Sequence, residues 1–460
     1  MRVLLLNPPF VRDFIRSSRW AAISISGSNW YPIYLAYCTG LLEKYGYKTK
    51  LVDGPVDKLS HEDIFRMAKE FSPDVCVLYI SDKSLANDIK IGERLKEITE
   101  SYIVLVGPWC CVHPDDIIKC SNKIDALAIG EFDYTILEIA EGKSKSDIHG
   151  LIWRNGNNIV HNPPRAPLTS EEINEFPFVT DVYKRHLNIN NYFQAPHLHP
   201  FVDLFTGRGC SWGKCAFCLW PHTINKGAPY RVGDIHKTIE EIKFIKQELP
   251  KIREIFIQDD TLPAWRAKEL SLAIINNRID ITWSCYARAD GTYNLETLKL
   301  MKESGCRCLH VGYESSNQQI LTNIRKGSKP KIMEEFAEMT DRIGLLNHAD
   351  FIIGLPGETT DTIKKTVKWA NSLKVDSYQF TIPKPYPGTP LYDWLKEHDC
   401  LKDGWANYPH LSSEDIEKWT KWALKETNMN PKYLFRMLKK RSEWMRLARS
   451  ARYLLPNVLR

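Results

Sequence analysis

The stretch Thr206-Gly207-Arg208-Gly209-Cys210-Ser211-Trp212-Gly213-Lys214-Cys215-Ala216-Phe217-Cys218 places three thiols within nine residues, directly after an apolar run at 202–206. A glycine-bearing loop leaving a strand end can bring three such side chains to one metal centre. A structural zinc site asks for four closed ligands, and no fourth Cys or His follows at suitable spacing, although His222 is near. A [4Fe-4S] cluster held by three cysteines leaves one iron open to a chelating ligand. Free thiols are the third reading.

Outward from this loop the chain reads as six strand–helix units. Strands are predicted at 202–206, 253–258, 281–286, 307–312, 348–353 and 377–382, the first five each followed by a helical pattern. Six such units in about 180 residues predict an incomplete (β/α)6 barrel over 201–395, the open relative of the eight-unit barrel. Polar motifs fall at the carboxyl ends of these strands, where such barrels place their chemistry: Asp259-Asp260-Thr261, Arg288, Glu314-Ser315 and Gly354-Leu355-Pro356-Gly357-Glu358-Thr359. Each alone also reads as an ordinary strand–turn–helix junction, and Asp260-Thr261 before Pro263 as a helix cap.

Upstream, residues 1–142 alternate strands (2–6, 48–53, 74–80, 102–106 and 124–129) with helical patterns (32–45, 61–71, 85–99, 114–119 and 133–141). That alternation predicts a doubly wound, Rossmann-like parallel sheet, with ligands beyond the carboxyl ends of its strands. The loops there are Asn7-Pro8-Pro9-Phe10, Gly107-Pro108-Trp109 and Gly130-Glu131, and no G-x-G-x-x-G follows the first strand. Residues 143–200, rich in Asn, Pro and His, read as a linker containing the short strand-like Leu151-Ile152-Trp153; His197 and His199 are read there as loop residues. Residues 396–460 read as a helical, basic region. Of the net charge of +6, the segment 430–460 contributes +8 from nine Lys/Arg and one acid, so the rest of the chain carries −2. A basic skew confined to one end argues against a broad nucleic-acid face.

No apolar run reaches the roughly 20 residues that cross a bilayer, and the opening Val3-Leu4-Leu5-Leu6 is too short for a secretion signal. A cytoplasmic protein is expected. Twelve cysteines in such a chain argue for metal ligation or buried thiols over disulfides. Cys38, Cys76, Cys120, Cys285 and Cys400 read as core residues. On a helix from about 431, Leu434, Met437, Leu438, Met445 and Ala448 share a face ringed by Lys and Arg. This predicts either a helix capping the barrel or a peripheral contact with an anionic membrane.

The cysteine loop and the barrel after it resemble those of radical S-adenosylmethionine (SAM) enzymes. The usual spacing there is C-x3-C-x2-C; this chain has C-x4-C-x2-C, with the extra residue beside Gly213. The resemblance implies that Cys210, Cys215 and Cys218 hold a [4Fe-4S] cluster whose open iron binds the amino and carboxylate groups of SAM. It further implies that Phe217 flanks the adenine, Asp259 or Asp260 holds the ammonium, Arg288 pairs with the carboxylate, Glu314 approaches the ribose, and Gly354 and Pro356 back the adenine. The preceding domain, together with Pro385-Tyr386-Pro387-Gly388-Thr389-Pro390-Leu391-Tyr392, is similar to the cobalamin-binding branch of that superfamily. Asn7, Pro8, Gly107, Pro108, Gly130 and Glu131 are then its expected cobalamin contacts. No D-x-H-x-x-G is present, so no histidine would ligate cobalt from below. With cobalamin, the implied chemistry is C-methylation or carbon-skeleton modification; without it, radical cyclisation, isomerisation or C–C coupling. A flavodoxin or ferredoxin is the implied electron donor. The C-x-F-C-L-W-P form at 215–221 is similar to members linked to hopanoid and other lipid biosynthesis, which makes a lipid or natural-product precursor the expected substrate. The rival class is a zinc-stabilised binding protein without catalysis.

Overall fold

Val3 to Leu6, Val75 to Leu78 and Ile103 to Val106 are almost wholly apolar and buried on both faces, as strands covered by helices on each side must be. In the computed structural model, which describes residues 1–16, 21–24, 27–439 and 444, they form the centre of a seven-stranded sheet. Its order is Lys48–Asp53, Arg2–Asn7, Val75–Tyr79, Tyr102–Val106, Ala126–Ala128, Leu151–Asn155, Asn158–His161. The first five are parallel, as the alternating pattern requires. The last two are antiparallel and lie within the segment read as linker. Their half-exposed faces and polar second strand explain why a pattern search sees only Leu151-Ile152-Trp153. The same segment continues into helices Ser170–Glu175 and Val179–His186.

The second sheet has six parallel strands in simple sequential order: Phe201–Leu204, Glu254–Ile257, Trp283–Ala287, Cys306–Glu314, Leu346–Ile352 and Ser377–Thr381. The sheet does not close on itself, so this is the open barrel predicted. The amino-terminal end of its lumen is shut by Glu254, a buried carboxylate that accepts from Ser284 Oγ (2.6 Å), Leu198 N (2.7 Å) and Arg307 Nε (2.9 Å). Burial pushes its pKa up, but Arg307 and His197 outweigh burial and hold it at about 2. His197 Nδ1 lies 3.1 Å from Glu254 Oε1, and His199 Nδ1 3.1 Å from the Tyr192 carbonyl, so the H-x-H pair is structural.

One apolar core runs through both sheets. Tyr31 stacks between Tyr183 (4.3 Å between centroids) and Tyr192 (3.8 Å), and its hydroxyl donates to the Phe201 carbonyl at 2.7 Å. Cys38, Cys76, Cys285 and Cys400 are buried, as expected; Cys120 is exposed, because it falls at the frayed end of the short helix Pro114–Lys119. Helix Pro431–Lys439 turns Tyr433 and Met437 into the core and leaves Leu434, Phe435 and Leu438 exposed. Met437 therefore does not share the outer face; Met445 and Ala448 lie outside the described residues. Among the described residues no helix is long and apolar enough to cross a membrane.

Candidate functional site

The cysteine loop is hung from Asp259. This carboxylate, fully buried at the end of strand Glu254–Ile257, accepts from Thr206 N (2.7 Å), Thr206 Oγ1 (2.7 Å), Gly207 N (3.3 Å) and Tyr230 OH (2.7 Å). Burial raises its pKa against the effect of these bonds. Gly207 needs its bare α-carbon there, since a Cβ would sit 2.5 Å from the Tyr230 ring. Gly207–Arg208 then pairs antiparallel with Arg231–Val232, and the chain enters the loop.

All three loop cysteines are half-buried. Cys210 Sγ lies 3.7 Å from Thr261 Oγ1, and Cys215 Sγ 3.8 Å from Arg288 Nη1. Burial pushes the Cys215 thiol up, while Lys326 and Arg288 act the other way by favouring the thiolate. Ala216 is pinned on both sides, its N–H donating to Ile324 O (2.9 Å) and its carbonyl accepting from Leu391 N (3.0 Å). Among the described residues no three His, Cys, Asp or Glu side chains close around a single ion. Three cysteines on one loop can each give one ligand to a different iron of a cluster. His222, the nearby histidine, has Nε2 3.1 Å from the Cys215 carbonyl.

Four residues around Cys215 form one network. Arg288 Nε donates to Asp290 Oδ2 (3.0 Å) and Nη2 to the Lys326 carbonyl (2.6 Å), leaving Nη1 toward the sulfur. Lys326 Nζ donates to Glu314 Oε1 at 2.7 Å, both side chains being buried. Glu314 holds a left-handed backbone (φ 61°), which turns it out of strand Cys306–Glu314 across the open end of the barrel. Lys326 was not singled out in the sequence: it follows a short helix, away from any strand end, and its partner is 12 residues upstream.

The remaining expected contacts separate. Asp260 is half-buried beside the cysteine loop, accepting from Asn225 Nδ2 at 3.3 Å, whereas Asp259 is enclosed by the four donors above. Phe217 packs half-buried against the core. Gly354 has φ +100°, donates to Glu358 Oε2 (2.6 Å) and accepts from Tyr408 OH (3.0 Å). The Pro356 carbonyl accepts from Asn323 Nδ2 (2.9 Å), which ties this turn to the Lys326 segment.

The first sheet meets the barrel at the same end. Its order reverses between strands Arg2–Asn7 and Val75–Tyr79, the place where open α/β sheets hold ligands. That crevice contains the Arg16 guanidinium, which donates to Asn7 Oδ1 (3.0 Å), the Pro8 carbonyl, Ser84 Oγ (2.9 Å) and Asp88 Oδ1 (2.5 Å). Asn7 and Pro8 are thus bound to a buried arginine. One strand further, Gly107 (φ +116°) opens the short helix Pro108–Val112, which abuts the turn Trp220–Ile224 just past Cys218. Gly130 (φ +82°) donates to Cys111 Sγ at 3.2 Å and lies next to Ile224. Gly130 is half-buried, whereas Gly107 is buried, its bare α-carbon facing the Ile80 carbonyl and the Tyr79 ring.

Glu131, expected among the cobalamin contacts, clamps the two sheets together. It accepts from Arg231 Nη1 (2.5 Å), Arg231 Nη2 (3.1 Å) and Leu168 N (2.8 Å), and Arg208 Nη1 is 3.6 Å away. Arg208, buried among Tyr34, Tyr37, Phe176 and Phe205, also donates to Asp133 Oδ2 at 2.8 Å.

Comparison with known proteins agrees with this arrangement. Residues 19–140 match the B12 binding domain and residues 204–370 the radical SAM superfamily. An uncharacterised methyltransferase of Pyrococcus horikoshii is 29% identical, over 95% of this chain and 94% of its own. Cytidylyl-2-hydroxyethylphosphonate methyltransferase of Streptomyces wedmorensis is 27% identical, over 88% of this chain and 83% of its own. Among solved structures, the radical SAM methyltransferase TsrM of Kitasatospora setae, with cobalamin and a [4Fe-4S] cluster bound, superposes with a TM-score of 0.69 at 17% identity, covering 86% of this chain and 78% of that one.

Proposed function

Because the chain belongs to the radical SAM superfamily, in the branch that carries a B12-binding domain, we propose that it methylates a carbon atom of a polar small molecule. It is an enzyme whose cofactors are a [4Fe-4S] cluster, SAM and cobalamin. When bound, the cluster and SAM supply a 5′-deoxyadenosyl radical and methionine, through one-electron cleavage of the sulfonium C–S bond; cobalamin supplies the methyl group.

In this reading Cys210, Cys215 and Cys218 hold the cluster. Arg288, fixed by Asp290 and the Lys326 carbonyl, turns its remaining Nη1 to the SAM carboxylate. Asp260 takes the ammonium, and Asp259, enclosed by Thr206, Gly207 and Tyr230, sets the loop. Glu314, aimed by Lys326, meets the ribose. Phe217 and the Gly354–Pro356 turn border the adenine. Gly107, Pro108 and Gly130 border the cobalamin, with Asn7 and Pro8 behind them.

The observation that carries the reading is the contact of helix Pro108–Val112 with the turn that follows Cys218. It sets the ligand end of one parallel sheet against the ligand end of the other, as transfer between two cofactors requires. Dithionite-driven turnover of SAM bearing a deuterated methyl group, by anaerobic protein loaded with hydroxocobalamin, tests it. Label in a product supports methylation, and Cys215→Ala abolishes it together with 5′-deoxyadenosine. Protein that forms 5′-deoxyadenosine but retains no corrinoid would instead support cyclisation or C–C coupling.

The substrate class rests on the barrel wall. Tyr286, His310 and His348 stand in one row, with ring centroids 5.6 Å and 5.1 Å apart, and His348 Nδ1 lies 2.6 Å from Ser377 Oγ. One step nearer the open end, Asp350 stands in register with the exposed Gln379. A wall of imidazoles, amide and carboxylate supports a substrate that carries hydrogen-bonding groups. A lipid substrate is therefore the weaker reading. Peripheral membrane contact has the exposed Leu434, Phe435, Leu438 and Trp444 in its favour, and deletion of 430–460 with liposome sedimentation tests it.

A further inference from the structure

Side chains alternate along strand Leu346–Ile352. Phe351 packs outward on Trp369 of helix Thr360–Ser372, 6.1 Å between centroids, while His348 turns into the barrel toward His310, 5.1 Å away. Asp350, two positions from His348, shares that inner face and is half-buried. Its register partners are Gly312 on one side and the exposed Gln379 on the other. A Cβ on Gly312 would stand 2.3 Å from Glu314 Oε1 and 2.8 Å from Lys326 Nζ, so the Glu314–Lys326 pair overlies the strand beside Asp350.

The cations around this wall are already matched to other acids. Lys326 is paired with Glu314 (2.7 Å), Arg288 with Asp290 (3.0 Å) and Arg307 with Glu254 (2.9 Å). Past the last strand, Lys384 lies 3.6 Å from Asp82. Asp350 has only His348, whose Nε2 is 3.5 Å from Oδ1, outside ordinary hydrogen-bond reach. Among the described residues no N–H or O–H donates to the Asp350 carboxylate. Gln258 adds a second acceptor. It lies two positions past Phe256, whose ring meets Tyr286 and His310 in the lumen, and its Oε1 is buried without a donor among the described residues.

A half-buried carboxylate with no donor, in a wall with surplus acceptors, is stabilised when a ligand brings positive charge and N–H groups. Resting on the methylation reading above, we propose that Asp350 anchors the substrate and that the substrate presents a protonated amine to it. An ammonium carries N–H donors for the carboxylate and for the Gln379 amide oxygen. Gln258 takes a further donor of the substrate. A carboxylate or phosphate in the same place would meet like charge and acceptors, and is rejected. The amine is thereby held one strand from Glu314, the residue given above to the SAM ribose.

The test uses anaerobic holoenzyme with SAM and a matched set of probes: n-butylamine, n-butanol and butyrate. Dissociation constants come from ligand-observed NMR titrations of wild type, Asp350→Asn and Asp361→Asn, the last an exposed acid of helix Thr360–Ser372. Wild type should bind butylamine at least tenfold more tightly than butanol, and butyrate more weakly than either. Asp350→Asn keeps the shape and removes the charge, so it should weaken butylamine at least tenfold and leave butanol unchanged. Asp361→Asn should match wild type. Gln379→Glu, at an exposed position that tolerates replacement, adds a second charge and should tighten butylamine. Absence of butylamine binding by wild type, equal binding by wild type and Asp350→Asn, or butyrate binding as tight as butylamine would overturn the proposal. The label transfer from deuterated SAM described above is read separately. Its failure, with butylamine binding still dependent on Asp350, would overturn the methylation reading and leave the amine site standing.

Discussion

Replacing Glu131 with Gln separates a clamp between sheets from a cofactor contact. Its carboxylate is buried and takes a two-pronged bond from Arg231, with Arg208 close by. Gln keeps the shape and the bond from Leu168 N but removes the charge that offsets two enclosed guanidinium groups. Breaking a buried pair from one side costs about 3–5 kcal/mol. Unfolding entropy near 2.1 cal/mol/K per residue gives a chain of 460 residues about 1 kcal/mol/K, so melting should drop by about 3–5 °C. Differential scanning fluorimetry on protein without corrinoid reads this directly. Limited proteolysis should also cut faster within 143–200, whose Leu168 leans on the same carboxylate. Melting within 1 °C of wild type, in protein free of corrinoid, would refute the clamp and return Glu131 to the cofactor.

Three further perturbations bear on the site. Lys326→Met strands Glu314 without its ammonium; SAM binding by equilibrium dialysis should weaken at least tenfold, while iron content stays at the wild-type value. Gly327→Ala adds a methyl group into the Trp212 ring on a left-handed backbone (φ +69°), which should cost about 1–3 kcal/mol and alter the electron paramagnetic resonance spectrum of the reduced, SAM-bound cluster. Glu254, held at about 2 against 4.5 for a free glutamate, contributes about 3 kcal/mol at neutral pH. That contribution is present above pH 4.5 and drains away as the pH falls toward 2; Glu254→Gln should lose it at pH 7 in urea titrations and show a flatter acid limb.

The parallel strands were legible because each is a short apolar run between turn residues, and burial on both faces leaves no other way to write such a strand. The cysteine loop was legible because its ligands are local. Residues whose partners are remote were hidden. Arg16 bonds Ser84 and Asp88, 68 and 72 positions away, and nothing near it in sequence marks it as buried. Glu131 was seen, but its place after a strand pointed to a ligand, and only the fold brings Arg231, 100 positions on, against it. Asp259 and Asp260 were indistinguishable as a pair; only the fold brings Thr206, Gly207 and Tyr230 onto Asp259. The strands Leu151–Asn155 and Asn158–His161 escaped as a pair because their half-exposed faces lose the apolar signature.

The continuous core, with Tyr31 stacked between Tyr183 and Tyr192, gives the two sheets a common rigidity. Two catalytic surfaces on separate bodies would have to find each other at every turnover, against the loss of rotational and translational freedom. In this chain that ordering is completed when the polypeptide folds, so a substrate meets both surfaces already aligned. Loosening the aromatic stack should therefore slow the transfer step.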